Sequence, residues 1–225
     1  KRYGLRFSLE TDVEIVDSEH DGRFDRYWKA YWEMMRRKGV TQEFARLELR
    51  RRTTLGGALM VKFGEADGMI CGTIGRYVNH LDLIDKVIGK APGASTYAAM
   101  NIILMPESMV AIADTHVNAN PNAQELADIA IMAAQEMRHL RIEPKLAFVS
   151  SSNFGTDVPC SGSGIREALA LVREREPDLE IGGEMHCDAA LDEKLRARIM
   201  PDSPLKGAAN VLICPNVEAG NIAYN

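Results

Sequence analysis

The sequence has little cysteine and no long apolar run, and each scarcity excludes a class of protein. Its four cysteines are widely separated and form no C-x-x-C pair, which argues against a disulfide framework. Its longest apolar runs, such as "MNIILM", fall far short of the roughly 20 residues that span a bilayer. We therefore expect reduced thiols, a cytoplasmic location and no membrane-embedded segment.

The sequence also lacks an excess of basic residues and the common nucleotide-binding motifs. The 27 basic residues stand against 32 acidic ones, for a net charge of -5, so no basic excess is present to follow a nucleic-acid backbone or an anionic membrane. Neither GxxxxGK[ST] nor GxGxxG occurs, and ATP and dinucleotide sites gain no support from motifs. We expect a small-molecule ligand and no nucleic-acid partner.

Short apolar runs alternate with amphipathic stretches from about residue 65 onward. The amphipathic stretches "NAQELADIAIMAAQEMRHL", "IREALALVRERE" and "DAALDEKLRARI" have helical periodicity. The apolar runs predict strands over 69–71, 101–105, 109–113, 146–150, 179–181 and 211–214. This alternation indicates an α/β fold with a largely parallel sheet that helices cover on both faces. In such sheets ligands bind at the carboxyl ends of the strands.

The N-terminal region contains an aromatic stripe at helical spacing. It predicts a helix ending at Gly39, and Thr41 is a plausible N-cap for a second helix. We expect the stripe to pack in a core or between subunits rather than to bind a ligand. Its members are Tyr27, Trp28, Tyr31, Trp32 and Met35.

A change of structural unit is predicted near residue 120. Two closely spaced strands end there, and Pro121 with Asn122-x-x-Glu125 has the pattern of a helix start with a capping box. We therefore expect a first α/β subdomain over 1–120 and a second over 121–225.

Two segments are candidate ligand sites. In "VSSSNFGTDVPCSGSGIRE" a strand runs into a loop of small polar residues and then into a helix start, a pattern typical of anion sites and also of ordinary flexible β-α loops. Its candidates are Ser152, Asn153, Thr156 and Ser163. In "MICGTIGRYVNHL" the candidates are Arg76, Tyr77 and His80, since Arg76 can pair with phosphate or carboxylate. The alternative for this second segment is a solvated helix face.

A metal site is the less favoured interpretation of "GEMHCDAAL". Glu184, His186 and Asp188 alternate and would share one face of an extended segment. However, the run opens a helix, where capping and the helix dipole favour acidic residues without any metal. We expect no metal ligands in this sequence.

Several segments, taken in order, resemble the blocks of the phosphate acetyl/butyryltransferase family. They are "DGMICGTIG", "PNAQELADIAIMAAQ", "PKLAFVSSSNFGT", "IREALALVREREPDLEIGGEMHCDAAL" and "SPLKGAANVLICPNVEAGNIAYN". Within that family, "DGMICGTIGRYVNHL", "SNFGT" and the aromatic block resemble the C-terminal domains of hybrid bacterial NADP-dependent malic enzymes. The resemblance implies a two-subdomain α/β fold, with the first subdomain incomplete at both ends and coenzyme A bound between domains.

The same resemblance implies a regulatory function. It implies that the domain binds acetyl-CoA as an allosteric effector, through the two candidate segments, and shares its chain with an N-terminal malic enzyme domain. That domain would convert malate to pyruvate, with NADP and a divalent metal, Mg or Mn. A homodimer or higher homo-oligomer is implied as well. The alternatives are an active phosphate acetyltransferase, which makes acetyl-CoA and phosphate from acetyl phosphate and coenzyme A, and a purely structural oligomerisation domain.

Two departures from active transferases lead us to expect no catalytic residue in this sequence. Asp82 stands where active members carry the Arg of a Val-Arg-Pro turn, and a carboxylate repels the phosphate that an Arg would hold. The Asp base and the Ser-Arg pair of active members lie downstream of the Gly-Asn-Ile block, and we expect those positions to fall beyond the closing "VEAGNIAYN".

Overall fold

A computed structural model describes residues 6, 8, 11–17, 20–156 and 162–225, with the backbone alone for 162 and 163. The chain divides into two compact units, Lys1–Gly89 (unit 1) and Lys90–Asn225 (unit 2). This division lies about 30 residues before the one that the sequence predicts. The reason is that residues 100–113 form two strands of the unit 2 sheet, a long-range pairing that leaves no local signal.

Unit 1 is helical in the part of it that the structure describes. Its α-helices are α1 (Phe24–Met35), α2 (Gln42–Arg51), α3 (Thr53–Lys62) and α4 (Tyr77–Val87), with a 3-10 turn at Arg36–Lys38. The aromatic stripe of α1 packs into the unit core, as predicted, and Trp32 lies partly buried at its edge. Gly39 ends the turn with a positive φ, and the Thr41 side chain caps α2 by accepting from the backbone N–H of Phe44.

The predicted strand over 69–71 is wrong. These residues lie in an irregular segment between α3 and α4, and Ile70 is fully exposed. A strand requires a neighbouring strand to satisfy its backbone groups, and none occurs among the described residues of unit 1. The apolar run therefore remains a loop at the surface.

Unit 2 is built on a five-stranded sheet. Its strands are β1 (Met100–Leu104), β2 (Met109–Ala113), β3 (Lys145–Val149), β4 (Glu180–Met185) and β5 (Val211–Ile213), in the order β1-β2-β5-β3-β4. The pairs β2/β5, β5/β3 and β3/β4 are parallel, and β1/β2 is antiparallel. The other five predicted strands are thus confirmed, and so is the largely parallel sheet. The strand that was predicted over 179–181 is longer in the structure, at 180–185.

Helices cover both faces of this sheet. They are α5 (Ala123–His139), α6 (Gly162–Arg175), α7 (Cys187–Leu191), α8 (Glu193–Ile199) and α9 (Val217–Tyr224). Ala111 and Ala113 of β2 face the core under α5 and α6, whereas Val110 and Ile112 face the opposite core, where α7 packs. This alternation follows from the two-residue period of a strand.

Local helix signals agree with the structure except in one stretch. Asn122 and Glu125 form the predicted capping box of α5. The stretch "DAALDEKLRARI" is two helices rather than one, because Asp192 has extended backbone angles and its carboxylate accepts from the N–H groups of Lys194 and Leu195. In the described part of the chain, no helix is long and apolar enough to cross a membrane.

Candidate functional site

The predicted site residues lie at two places, one in each unit. Arg76 immediately precedes α4, and Tyr77 and His80 lie in its first turn. Ser152, Asn153 and Thr156 follow β3 in unit 2, and Ser163 lies at the start of α6, where its side chain is outside the described residues. That the two groups form one site stays a prediction.

In unit 1 the loop before α4 encloses a cavity of about 380 Å³. Gly72 and Gly75 have φ values of 119° and 103°, which favour glycine, and they turn the chain around the cavity. The lining residues are Cys71, Gly72, Thr73, Gly75, Tyr77, His80, Leu81 and Ile84. The volume lies in the range of small-molecule sites. Tyr77 and His80 therefore belong to the cavity wall, whereas the exposed Arg76 is not part of it.

His80 holds this loop in place. Its Nε2 lies 3.0 Å from the carbonyl oxygen of Ile74 and must donate to it, since a carbonyl only accepts. Its Nδ1 lies 2.8 Å from Thr54 Oγ1 and accepts from that hydroxyl in the neutral ring. Both ring nitrogens are thus occupied by protein groups. His80 is a positioning residue that joins α3, α4 and the loop.

Asp82 is paired within α4. Its carboxylate accepts from Lys86 Nζ at 2.6 Å, one helical turn further on. Surface pairs of this kind contribute little stability, about 0–1 kcal/mol. The negative charge at this position is therefore balanced locally, and Asp82 presents no group that would attract a phosphate.

In unit 2 Asn153 fixes the loop after β3. Its Oδ1 accepts from the backbone N–H of His186 at 2.8 Å, and its Nδ2 lies 3.1 Å from His186 Nδ1. His186 Nε2 in turn donates to the carbonyl of Ser151 at 2.9 Å. These contacts occupy the Asn153 amide and connect the loop to the start of α7. Asn153 thus supports the loop through its side chain, and its role as a phosphate ligand stays a prediction.

The other predicted phosphate ligands of this loop differ in accessibility. Ser152 is only 1% exposed, so a ligand cannot reach its hydroxyl without movement of the loop. Thr156 is exposed, and its backbone N–H donates to the carbonyl of Asn153 at 3.2 Å. Of the described candidates in unit 2, Thr156 is exposed, Asn153 is half-buried and Ser152 is buried.

Sequence reasoning missed the ion pair beneath this loop. Glu184 of β4 is buried, and its Oε1 accepts from Arg166 Nη1 of α6 at 2.8 Å, while its Oε2 has no hydrogen-bond partner among the residues that the structure describes. Arg166 also lies near Gly155, since a Cβ at Gly155 would be 3.6 Å from its Nη1. A buried carboxylate repels a bound anion, so Arg166 is the group that could offset it. The sequence signal that could have indicated this ion pair was Arg166, which lies in the first turns of the predicted helix.

The three residues considered for a metal have other contacts. Glu184 pairs with Arg166, the His186 ring bonds to the loop, and Asp188 accepts from the N–H of Ala189 in the first turn of α7. Among the residues that the structure describes, no three His, Cys, Asp or Glu side chains are grouped as metal ligands. An ion pair and hydrogen bonds within the protein account for the contacts of these three side chains.

Comparison with known proteins identifies the family of this chain. The model of the phosphate acetyl/butaryl transferase family matches residues 1–225. The chain is 51% identical to an NADP-dependent malic enzyme of Salmonella typhimurium over 225 residues, which are 100% of this chain and 30% of that protein. It is 40% identical to a phosphate acetyltransferase of Paracoccus denitrificans over 202 residues, 86% of this chain and 63% of that protein.

A solved phosphotransacetylase from Streptococcus pyogenes has the same fold. It superimposes with a TM-score of 0.85 at 32% identity, over 96% of this chain and 65% of that one. The chain spans about 30% of the length of the malic enzymes that it matches. With a family match along its whole length, the chain belongs to the phosphate acetyl/butaryl transferase family.

Proposed function

We propose that this chain is the regulatory, phosphotransacetylase-like domain of an NADP-dependent malic enzyme, that it binds acetyl-CoA and that it does not transfer acetyl groups. One observation carries the proposal. Identity to malic enzymes of Salmonella typhimurium and Escherichia coli is 51% and 50% along the whole chain, against 40% and 32% for phosphate acetyltransferases of Paracoccus denitrificans and Synechocystis.

The geometry of unit 1 supports a binding role without catalysis. The 380 Å³ cavity beside α4 presents the half-exposed ring of Tyr77 together with Leu81 and Ile84, an apolar surface suited to an acyl or pantetheine chain. Asp82 is paired with Lys86, so the position that would hold acetyl phosphate carries no available cation. Acetyl-CoA binding is therefore favoured over acetyl transfer.

Regulation requires a further link to the parent protein. In this proposal the malic enzyme domain lies N-terminal in the same chain, converts malate to pyruvate with NADP and Mg or Mn, and assembles as a homo-oligomer. Acetyl-CoA changes its activity only if acetyl-CoA binds one arrangement of that assembly better than another. Typical coupling free energies of roughly 1–3 kcal/mol correspond to about 5- to 150-fold changes in affinity.

Calorimetry and malate oxidation by the intact protein test the proposal together. We expect acetyl-CoA to bind and to change the rate of NADPH formation from malate. Tyr77→Ala removes a cavity wall and should weaken acetyl-CoA binding by about tenfold. Val78→Ala is the matched control, because Val78 is 45% exposed in the same helical turn and does not line the cavity. Absence of acetyl-CoA binding refutes the proposal, and so does equal weakening by both variants.

The second candidate function is an active phosphate acetyltransferase. It is favoured by the 40% identity to the Paracoccus denitrificans enzyme and by the fold shared with the Streptococcus pyogenes phosphotransacetylase. A thiol assay with acetyl phosphate and coenzyme A decides between the two. Thiol consumption proportional to the concentration of the intact protein would establish transfer and contradict a non-catalytic domain.

A further inference from the structure

A second and larger cavity of unit 1 lies where α3 and α4 begin. Its volume is about 680 Å³, and Arg51 and Arg52 form one side of it. The loop segment 69–75 and the first turns of the two helices form the rest, including Thr53, Thr54, Asn79 and His80. No acidic residue is among the described residues that line it. With neutral histidine, the wall therefore carries two positive charges.

Two other charged cavities of the described residues lack this imbalance. A cavity beside α1 has Asp21 together with Arg23, and one beside α5 has Asp128 and Glu176 together with Arg175. In both, carboxylates accompany the arginines. The cavity at Arg51 and Arg52 instead presents cations alone, which is the charge pattern of an anion site.

Helix dipoles act differently on the two arginines. Arg51 ends α2, where a cation complements the helix dipole. Arg52 is both the C-cap of α2, where the dipole favours a cation, and the N-cap of α3, where the dipole opposes one. Within the described part of the chain, neither guanidinium has a carboxylate within ion-pair distance. An anion at the start of α3 would satisfy Arg52 and complement the dipole together.

The two helices that begin at this cavity also lack their own caps. Neither α3 nor α4 has a side-chain cap or an acidic residue in its first turn. By contrast, the side chains of Thr41, Asn122, Asp192 and Asn216 cap α2, α5, α8 and α9. The first N–H groups of α3 and α4 are therefore left for another acceptor at the cavity.

The opposite wall is apolar. Met69, Ile70 and Ile74 of the loop line it together with Leu83 of α4, and Ile70 and Ile74 are largely exposed. His80, bonded to Thr54 and to the carbonyl of Ile74, fixes this wall against α3. A ligand for this cavity thus has an anionic part and an apolar part. The volume is that of drug-sized ligand sites.

We infer that this cavity binds a phosphorylated nucleotide, with its phosphates on Arg51 and Arg52 and its apolar part on Met69 and Ile70. Two sources present this chemistry, a free nucleoside diphosphate and the nucleotide end of a coenzyme A ester. For the second source the inference rests on the proposed function, and for the first it does not. The phosphates and the two guanidinium groups are common to both.

Titration calorimetry on the intact protein, with ADP, pyrophosphate and acetyl-CoA as separate probes, tests the inference. We expect ADP to bind, and Arg51→Gln and Arg52→Gln each to weaken ADP binding by about tenfold, because each removes a charge-assisted contact to phosphate. Arg50→Gln is the matched control. Arg50 lies on the same helix, its guanidinium lies 5.2 Å from the centre of the Phe24 ring, and it does not line the cavity. We expect Arg50→Gln to change ADP binding by less than about twofold.

Each outcome has a distinct meaning. Failure of all three probes to bind overturns the inference, and equal weakening by Arg50→Gln overturns it as well, because the effect would then be one of net charge. Acetyl-CoA that binds equally to wild type and to both cavity variants, without ADP binding, keeps the proposed function and refutes this cavity as a nucleotide site. ADP binding that depends on Arg51 and Arg52 supports the cavity even if acetyl-CoA fails to bind. Competition between the two probes identifies the coenzyme A ester as a source.

Discussion

Replacement of Arg196 should destabilise unit 2 far more than an ordinary change of an arginine. Arg196 of α8 is 1% exposed, yet its partners are backbone carbonyls rather than a carboxylate. Nη1 donates to Ala189 and Ala190 at 2.9 and 3.2 Å, and Nη2 donates to Leu205 at 2.9 Å and to Gly207. The guanidinium thus joins the end of α7 to the segment that leads to β5.

The magnitude follows from the carbonyls that lose their donor. In Arg196→Met the side-chain volume is nearly kept and all four hydrogen bonds are lost. The carbonyl of Ala190 still accepts from the N–H of Ala209, so three of the four carbonyls are left without a described donor. Each buried group left unpaired costs about 1–3 kcal/mol. Relief of the buried charge offsets part of this sum, so we expect a loss of about 3 kcal/mol in the free energy of unfolding.

Urea unfolding followed by far-UV circular dichroism measures this loss. Tryptophan fluorescence is unsuitable, because both tryptophans lie in unit 1. Arg198→Met is the control, since Arg198 lies exposed on the same helix and its loss should change stability by less than about 0.5 kcal/mol. Equal midpoints for Arg196→Met and wild type would show that the three carbonyls do not depend on this side chain.

Three further predictions concern unit 2. Burial raises the pKa of Asp128, but hydrogen bonds from Ser95 and Arg175 outweigh burial and hold the pKa below its usual value. The carboxylate therefore stabilises the fold above about pH 4, and this contribution is lost as pH falls through the lowered pKa. Asp128→Asn should flatten the dependence of the unfolding free energy on acid pH. Gly220→Ala should cost more than about 2 kcal/mol, because the added methyl would overlap a backbone carbonyl, as denaturant unfolding can show. Burial raises the pKa of Cys214 to about 12, so a thiol reagent should label it only after unfolding, as peptide mass spectrometry can show.

Each of these has a control on the same chain. Asp202→Asn changes an exposed carboxylate and should leave the acid dependence unchanged. Gly22→Ala adds a methyl with no atom within 4 Å and should be nearly neutral. The exposed Cys71 should be labelled in the native protein. Labelling of native Cys214 at the rate of Cys71, or equal effects of the paired substitutions, would contradict the packing on which the predictions depend.

Periodicity in the sequence was enough to predict most of the elements. Five predicted strands and the largely parallel sheet are confirmed, because alternating faces and buried runs are local properties of the chain. The caps at Thr41 and Asn122 are confirmed for the same reason, since a cap involves residues only three positions apart. The aromatic stripe of α1 also packs in a core, as its spacing indicated.

The roles of the polar site residues depend on side-chain contacts between residues far apart in the sequence. The sequence shows His80 and Asn153 as polar residues near helix starts, whereas their contacts with Thr54 and His186 make them supports of their loops. Arg51 and Arg52 resemble the ordinary basic end of a helix. They line a cavity only because a loop about 20 residues further along the chain packs against the start of α3.

The sequence by itself determined most of the elements, the caps at Thr41 and Asn122, the order of strands and helices in unit 2 and the resemblance that the family match confirms. These follow from local periodicity and from the order of motifs. The tertiary structure alone decided that the chain divides after Gly89 and that the apolar run at 69–71 is a loop. It also decided which polar side chains form hydrogen bonds with other groups of the chain. Those outcomes depend on pairing between residues far apart in the chain, where hydrogen bonds must be satisfied and charges find their partners.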